Sequence, residues 1–196
     1  MSTETSDYAE RLRKKQTVWW KRLLRVQAPY QWNLRRTDLG TTLDVGCGIG
    51  RNLATLPAGS LGVDHNVESV RLAKEMGHPV LTTQEFLASD RARPGQFRSL
   101  LLAHVIEHLD RDDAVDILRT YLPYASPGGK VFIVCPQERG YASDPTHIRF
   151  CDESELESIA RDVGLEPVRS WSFPFPRRFG KLFIYNEFCV VSRIPA

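Results

Sequence analysis

Three histidines and a glutamate are the groups in this chain best suited to moving a proton or holding a metal. His104, Glu107 and His108 lie in "AHVIEHL", and His147 lies in "DPTHIRF". The first three have the spacing H-x-x-E-H, in which two helical histidines can hold zinc while the glutamate activates water. That chemistry needs both imidazoles on one helical face, four residues apart. Here they follow directly on the apolar, strand-like "SLLLA", and no third ligand helix follows at a suitable position. A zinc protease is therefore set aside, and no metal-ligand set is assigned from the sequence.

The second chemical feature is "LDVGCGIGRN", where an apolar run stops at Gly46, Gly48 and Gly50. Glycines there let the backbone turn tightly, approach a ligand, and open a helix whose N–H groups face the bound molecule. A dinucleotide fingerprint aligned on Gly46 and Gly48 would need glycine at position 51, which is Arg51, and there is no phosphate-loop lysine. Asp64 ends the next apolar run, in "GVDHN", where a carboxylate can accept two hydrogen bonds from a ribose diol. Loop and acid together indicate a nucleoside-containing ligand, without committing to a pyrophosphate.

These residues need a framework. Short apolar runs at "TTLDVG", "SLGVD", "PVLTT", "FRSLLLA" and "KVFIVC" alternate with helical patterns at Val67–Met76 and about Asp112–Leu122. "SPGG" reads as a turn before the fifth strand. Asp152, with Glu155 three residues on, reads as the capping box of a helix that stops at Gly164. Two late strands, "EPVRSWSF" and "EFCVVSRI", follow. Alternating strands and helices predict an α/β fold, a parallel sheet with helices on both faces. Leu100 to Leu102, apolar on both faces, suit a strand covered by helices.

The chain has 196 residues, 42% hydrophobic and 26% charged, which suits a globular protein with a real core. Net charge is only +2, but Arg11, Arg13, Lys14, Lys15, Lys21, Arg22, Arg25, Arg35 and Arg36 fall in one stretch without an acid. Leu12, Trp19, Leu23 and Val26 recur there at helical steps, and Pro29 reads as the helix end. No run is long and apolar enough for a membrane span, and no secretory signal is visible. Cys47, Cys135, Cys151 and Cys189 are far apart, which suits reduced thiols and a cytoplasmic setting.

The order of these motifs is specific. "LDVGCGIGRN" resembles the first motif of class I S-adenosylmethionine-dependent methyltransferases, with Asp44 two places before the first glycine. "GVDHN" resembles their second motif, "SLLLAHVIEHL" their fourth strand, and "LPYASPGGKVFIVCP" their fifth. "DPTHIRFCDESELESIARDVGLEPV" is similar to the segment beyond the core in small bacterial members, so the match spans roughly residues 40–195. The resemblance implies a three-layer, doubly wound, mostly parallel seven-stranded sheet whose last strand is antiparallel between the fifth and sixth. It implies a cofactor-binding domain at 40–196; residues 1–39 read, from their own pattern, as a basic helical extension or lid. The span from Gly50 to Asp64 is short, so the first helix should be short.

It also implies that S-adenosylmethionine lies against Asp44, Gly46, Cys47, Gly48, Gly50, Asp64 and His65, leaving S-adenosylhomocysteine as product. Gln84 or Glu85 would meet the adenine, and Ala103 and His104 the methionine part. Cys47 reads as a small loop filler rather than a nucleophile, because the methyl passes directly. An oxygen or nitrogen acceptor must also lose a proton, and His104, His108 and His147 are the candidate bases. Each could equally cap a loop or bond backbone. Glu107 could orient a histidine, hold with it a divalent ion that polarises the acceptor, or cap the following helix.

The acceptor is expected to be a small molecule, methylated at oxygen sooner than at nitrogen or carbon. Its pocket would use the N-terminal helix, "QERGYASDPTHIRF", and "SFPFPRRFGKLFIYNEF". In the last, Phe173, Phe175, Phe179, Phe183 and Tyr185 accompany Arg177, Arg178 and Lys181. This segment reads either as an aromatic floor for a planar or anionic acceptor or as a packed hairpin with a basic tip. The basic helix with Trp19 and Trp20 reads as a lid, with peripheral membrane contact and a lipid-linked acceptor as the second reading. Nucleic acid is not expected, since no base-reading module accompanies the charge. Two other functions fit less well: a non-catalytic cofactor-binding module, and a nicotinamide-dependent oxidoreductase, which Arg51 disfavours.

Overall fold

A computed structural model describes residues 27–196. The basic helix predicted around Trp19 and Trp20 lies outside the described residues. Where that helix ends likewise lies outside the described residues. Pro29 stands in the first turn of α1 (Ala28–Arg36), where its missing N–H has no helical partner to lose.

Seven strands form one sheet: β1 (Thr42–Val45), β2 (Leu61–Asp64), β3 (Val80–Thr82), β4 (Phe97–Ala103), β5 (Ala125–Pro136), β6 (Glu166–Phe173) and β7 (Glu187–Arg193). Their order is β3-β2-β1-β4-β5-β7-β6. The first five pair in parallel, and β7 runs antiparallel between β5 and β6, as the resemblance implied. The remaining helices are α2 (Val67–Glu75), α3 (Thr83–Leu87), α4 (Arg111–Tyr121), α5 (Glu138–Tyr141) and α6 (Glu153–Asp162).

Successive strand residues point to opposite faces, so the apolar strands feed two cores. Leu100, Leu102, Val131, Ile133, Cys135 and Val190 pack on one face with Ala114 and Leu118 of α4 and Leu156 and Ile159 of α6. Leu101, Phe132, Val134, Cys189 and Val191 pack on the other with Leu34 of α1 and Phe173. Val70 and Ala73 of α2 join Cys47, Leu53 and Val80 on that second face. Leu34 and Leu39 are buried, so the described part of the 1–39 segment is built into the domain.

Side chains start most of the helices. Asn66, Asp110 and Asp152 accept the N–H of Ser69, Asp113 and Glu155, and Thr82 makes a full capping box with Glu85. At Asp152 only the Asp152 half of the expected box is made, because the Glu155 carboxylate goes to Arg111 and Arg149. "SPGG" is the irregular beginning of β5 rather than a separate turn, with the register shifting between Phe97 and Ser99. The helix expected after the glycine loop is replaced by successive turns, such as Gly50 N–H to the Cys47 carbonyl and Leu53 N–H to that of Gly50. Pro57 and Gly59 follow too soon for a regular helix to grow.

All four cysteines are buried and free. Among the described residues no helix is long and apolar enough to cross a membrane.

The glycine loop rests on β2 at Gly62. A Cβ there would sit 2.7 Å from Cys47 Sγ, 2.8 Å from Leu53 Cδ1 and 2.9 Å from Val80 Cγ1. Gly62→Ala is therefore expected to cost ~1–3 kcal/mol by overpacking. Urea denaturation checks this, and an unchanged midpoint would show that the contact between loop and strand is loose.

Candidate functional site

The carboxyl ends of β1, β4 and β5 and the start of β7 surround a cleft of about 490 Å³, lined by the glycine loop, Ala103, His104, His108, His147, Glu187 and, from α1, Tyr30 and Asn33. That volume suits a small organic ligand, and the end of a parallel sheet is where such crevices form. Tyr30 Oη donates to the Tyr185 carbonyl at 2.7 Å, tying α1 to the opposite wall. A second cleft of about 120 Å³ lies near Gly40 and Pro57, before β1, away from the histidines.

One wall is the glycine loop. Gly46 has φ +71°, and a Cβ on it would stand 2.5 Å from Val105 Cγ2, so only glycine lets the loop pass this close to the chain after β4. Asp64 is buried; its Oδ2 accepts the Gly48 N–H at 2.7 Å and its Oδ1 the Asn66 N–H at 2.8 Å. His65 Nδ1 lies 3.6 Å from Asp64 Oδ1. The acid at the end of β2 thus holds the loop from beneath. Cys47 is buried, and burial with the charges of Asp44 and Asp64 keeps its thiol protonated. An inert filler, not a nucleophile, is what such a thiol can be.

Asp44 lies deeper. It is 1% exposed, and neither carboxylate oxygen has a hydrogen bond of good geometry. Burial pushes its pKa up to about 8; the nearby Asn52 amide opposes this, and the Asp64 charge adds to it. A buried acid without a partner needs a proton or a cation.

The β3 end contributes differently from expectation. Glu85 spends its carboxylate on the Thr82 N–H (2.7 Å) and on Lys74 (2.9 Å), while Gln84 is exposed beside it. Neither lines the cleft.

The opposite wall starts at His104. It has φ +61°, a left-handed conformation rare outside glycine, and its N–H donates to the Val134 carbonyl at 2.9 Å. That turn ends β4 and leads into the single 3-10 turn Ile106–His108. His104 and His108 therefore share no helical face, and the spacing of the zinc motif is not realised. His104 Nδ1 meets Glu107 Oε1 at 3.1 Å and Nε2 meets Glu187 Oε1 at 2.9 Å. Burial alone would lower the His104 pKa, but the two carboxylates override it and push it up to about 10. The side chain is 46% exposed, so the burial penalty is partial and the upward direction stands. Both ring nitrogens face carboxylate oxygens, a geometry that favours the imidazolium and counts against His104 as a base. The ring ties β4 to β7.

Glu107 is wholly buried. Its Oε2 accepts from Cys135 Sγ at 3.3 Å, and its backbone carbonyl accepts the N–H groups of Ile148 and Arg149. Burial would raise its pKa, but the hydrogen bond from His104 and the charge of that ring bring it below the usual value. It caps no helix; Asp110 caps α4.

His108 and His147 differ from His104. His108 Nδ1 faces the Thr146 carbonyl at 3.1 Å and Thr146 Oγ1 at 3.2 Å. The Thr146 hydroxyl itself donates to Asp144 Oδ1 at 2.7 Å, so both partners accept and Nδ1 carries the hydrogen. His147 Nδ1 likewise donates to the Tyr141 carbonyl at 2.8 Å. In its neutral form each ring keeps its lone pair on Nε2. The rings meet edge to face, 4.7 Å between centroids. Burial lowers the His108 pKa against the pull of Glu107, so this ring is neutral at physiological pH.

The late aromatic segment mostly packs on itself: Phe175 meets Phe179 and Phe183, and Phe183 meets Tyr185. Arg177 pairs with Glu138 and lies over Phe188, while Arg178 lies over Phe179. Of this segment, Ile184, Tyr185 and Glu187 line the cleft. Glu187, Tyr30 and Asn33 were missed by sequence reasoning. The one available signal was a lone acid opening the apolar strand "EFCVV".

A family model described as a methyltransferase domain matches residues 10–170. No curated protein matches. Among solved structures, a SAM-dependent methyltransferase from Archaeoglobus fulgidus aligns with TM-score 0.65 at 17% identity, over 84% of this chain and 92% of that one. A chain from the complex between the Haloferax volcanii Trm112 methyltransferase activator and its candidate methyltransferase aligns with TM-score 0.68 at 16% identity, over 97% of both. The magnesium protoporphyrin IX methyltransferase of Synechocystis PCC 6803 with bound SAM aligns with TM-score 0.59 at 15% identity, over 86% and 81%. These likenesses concern the fold.

The stitch at His104 has a pH signature. A histidine pKa raised above 6.5 contributes stability that is complete below pH 6.5 and is lost as pH climbs through about 10. Histidine ring NMR should find His104 protonated at pH 8 and His108 neutral. The decline of stability above neutral pH should also shrink in His104→Gln. Titration of His104 at or below pH 7 would rule out the double carboxylate clamp.

Proposed function

The chain belongs to the methyltransferase-domain family, and from that premise we propose that it moves the methyl group of S-adenosylmethionine to a small-molecule acceptor, at oxygen. One observation carries this reading. A single cleft has a glycine loop over a buried, partnerless Asp44 on one wall and two imidazole lone pairs on the other. When bound, the cofactor supplies an electrophilic methyl on a sulfonium for direct in-line displacement.

The residues present fit such a ligand. Beneath the loop, Asp44 lacks a hydrogen bond of good geometry, and a cationic methionine end would favour its ionised form and compensate that charge. Asp64 holds Gly48 in place and retains lone pairs for a ribose diol, with His65 beside it. Gln84 is the group left near β3 for the adenine, since Glu85 is engaged by Lys74 and the Thr82 cap. Ala103, small and at the end of β4, leaves room beside the loop.

On the acceptor side, Nε2 of His108 and of His147 face the place where a hydroxyl proton must go. A neutral imidazole held by its other nitrogen is well suited to that transfer. His104 positions Glu107 and closes the wall onto β7. The link from Tyr30 to Tyr185 makes α1 part of the roof, consistent with a lid continuing toward the N-terminus. Four buried free thiols suit a cytoplasmic setting.

Calorimetric titration with S-adenosylhomocysteine, beside reduced nicotinamide dinucleotide, tests the ligand class. Binding of the first alone is expected, and binding of the dinucleotide instead would overturn the reading. Asp64→Ala should weaken binding by ~1.5–3 kcal/mol. Asp44→Asn separates function from stability. Because the folded pKa of Asp44 is raised, its destabilising effect grows as pH rises from about 3.8 to about 8. The variant should therefore melt higher than the parent at pH 8.5 while binding S-adenosylhomocysteine about tenfold or more weakly. A lower melting temperature with unchanged affinity would remove Asp44 from the site.

A further inference from the structure

Glu107, His108 and His147 have a second property that proton transfer does not require. Each offers one ligand atom, and the three atoms lie within 4.8 Å of one another. The Nε2 of His147 stands 3.9 Å from Glu107 Oε1. Ligands held 2.0–2.2 Å from a tetrahedral ion are about 3.3 Å apart, so side-chain movements of about an ångström close the set.

We propose that Glu107, His108 and His147 bind one divalent transition-metal ion of the zinc type at the acceptor wall of the cleft.

Three observations carry this. The first is the tautomer: both histidines have Nδ1–H pinned by a backbone carbonyl, which aims the Nε2 lone pair and fixes the ring, as the outer contacts of metal-bound histidines do. For His108 the outer contacts extend through the Thr146 hydroxyl to Asp144. The second is burial. Glu107 is wholly buried and His147 is 9% exposed, so the ligand atoms are held among packed neighbours rather than on a flexible surface. The third is a gathering of carboxylates: Glu107 and Glu187 flank the His104 ring, and Asp144 stands behind Thr146 on the His108 side. A carboxylate oxygen has two lone pairs, so Glu107 Oε1 can keep the His104 N–H while turning the other toward the ion.

Two imidazoles and one carboxylate suit zinc and its neighbours better than magnesium or calcium, which prefer oxygen. Three protein ligands leave a coordination position for an acceptor oxygen, whose proton the ion would make easier to lose to solvent. With the ion bound, both Nε2 lone pairs are its ligands, so it would take over from the imidazoles the activation of the acceptor. That role rests on the reading of the site as a methyltransferase, whereas the binding of the ion does not.

The test uses full-length untagged protein, stripped with a chelator and titrated with Co2+. Cobalt is followed by its visible absorption and by competition with Zn2+. One Co2+ per chain is expected, displaced by Zn2+. His108→Ala and Glu107→Gln should each weaken it at least tenfold. His147→Phe should do the same while keeping the ring stacked on Tyr141, and far-UV circular dichroism confirms that the variants are folded. His78→Gln should bind like the parent. Absence of Co2+ binding in the parent, or equal binding by folded His147→Phe, would overturn the proposal. S-adenosylhomocysteine titration of the same stripped sample keeps the two readings separate. Co2+ binding without it retains the metal site and rejects the methyl donor; the reverse rejects the metal site alone.

Discussion

Glu107 is a carboxylate with no access to water, and a group of that kind has to be compensated or it destabilises the fold by several kcal/mol. Much of the catalytic side of the cleft can be derived from that need. His104 abandons the strand for a left-handed backbone and brings its imidazolium to Glu107. The same ring reaches Glu187 at the start of β7, fastening the antiparallel strand beside β5. The Glu107 carbonyl draws in the chain at Ile148 and Arg149, which carries His147 to within 3.9 Å of the carboxylate. One buried charge thus organises three segments distant in sequence.

The other wall obeys the same physics with the opposite outcome. Asp44 is buried without compensation, and its raised pKa records the cost. A fold that tolerates such a group is under strain until a cation or proton arrives, and sites that bind charged ligands often carry strain of this kind. Asp64, only a strand away, is satisfied by two backbone N–H groups and steadies the loop instead. Two acids at adjacent strand ends therefore have different functions because their hydrogen-bond surroundings differ.

Between these walls the sheet provides rigidity. β4 and β5 are covered on both faces, so Ala103, His104 and Pro136 project from a well-packed edge. The roof is more local, made of α1 and the end of the late aromatic segment, joined at Tyr30 and Tyr185. This arrangement sets Ala103 and His104 on the rigid edge of the sheet and leaves the roof of the cleft to local, loop-borne surface.

Local order was legible in the sequence because it is encoded locally. Continuous apolar runs at "SLLLA" and "KVFIVC" specified strands apolar on both faces; Asp152 announced a helix start; and glycines 46, 48 and 50 announced a tight, ligand-facing turn. The placement of β7 followed from resemblance, since no local pattern reveals which neighbours a strand will have. Pro29 was ambiguous in the sequence because proline suits the first turn of a helix as well as the residue beyond its end. The functions of the histidines were decided only by tertiary structure. His104 and His108 share one motif, yet one is an imidazolium held by an acid 83 positions away and the other a neutral ring held by the Thr146 carbonyl. An imidazole takes its charge and tautomer from the groups that surround it, and those groups meet only once the sheet has closed.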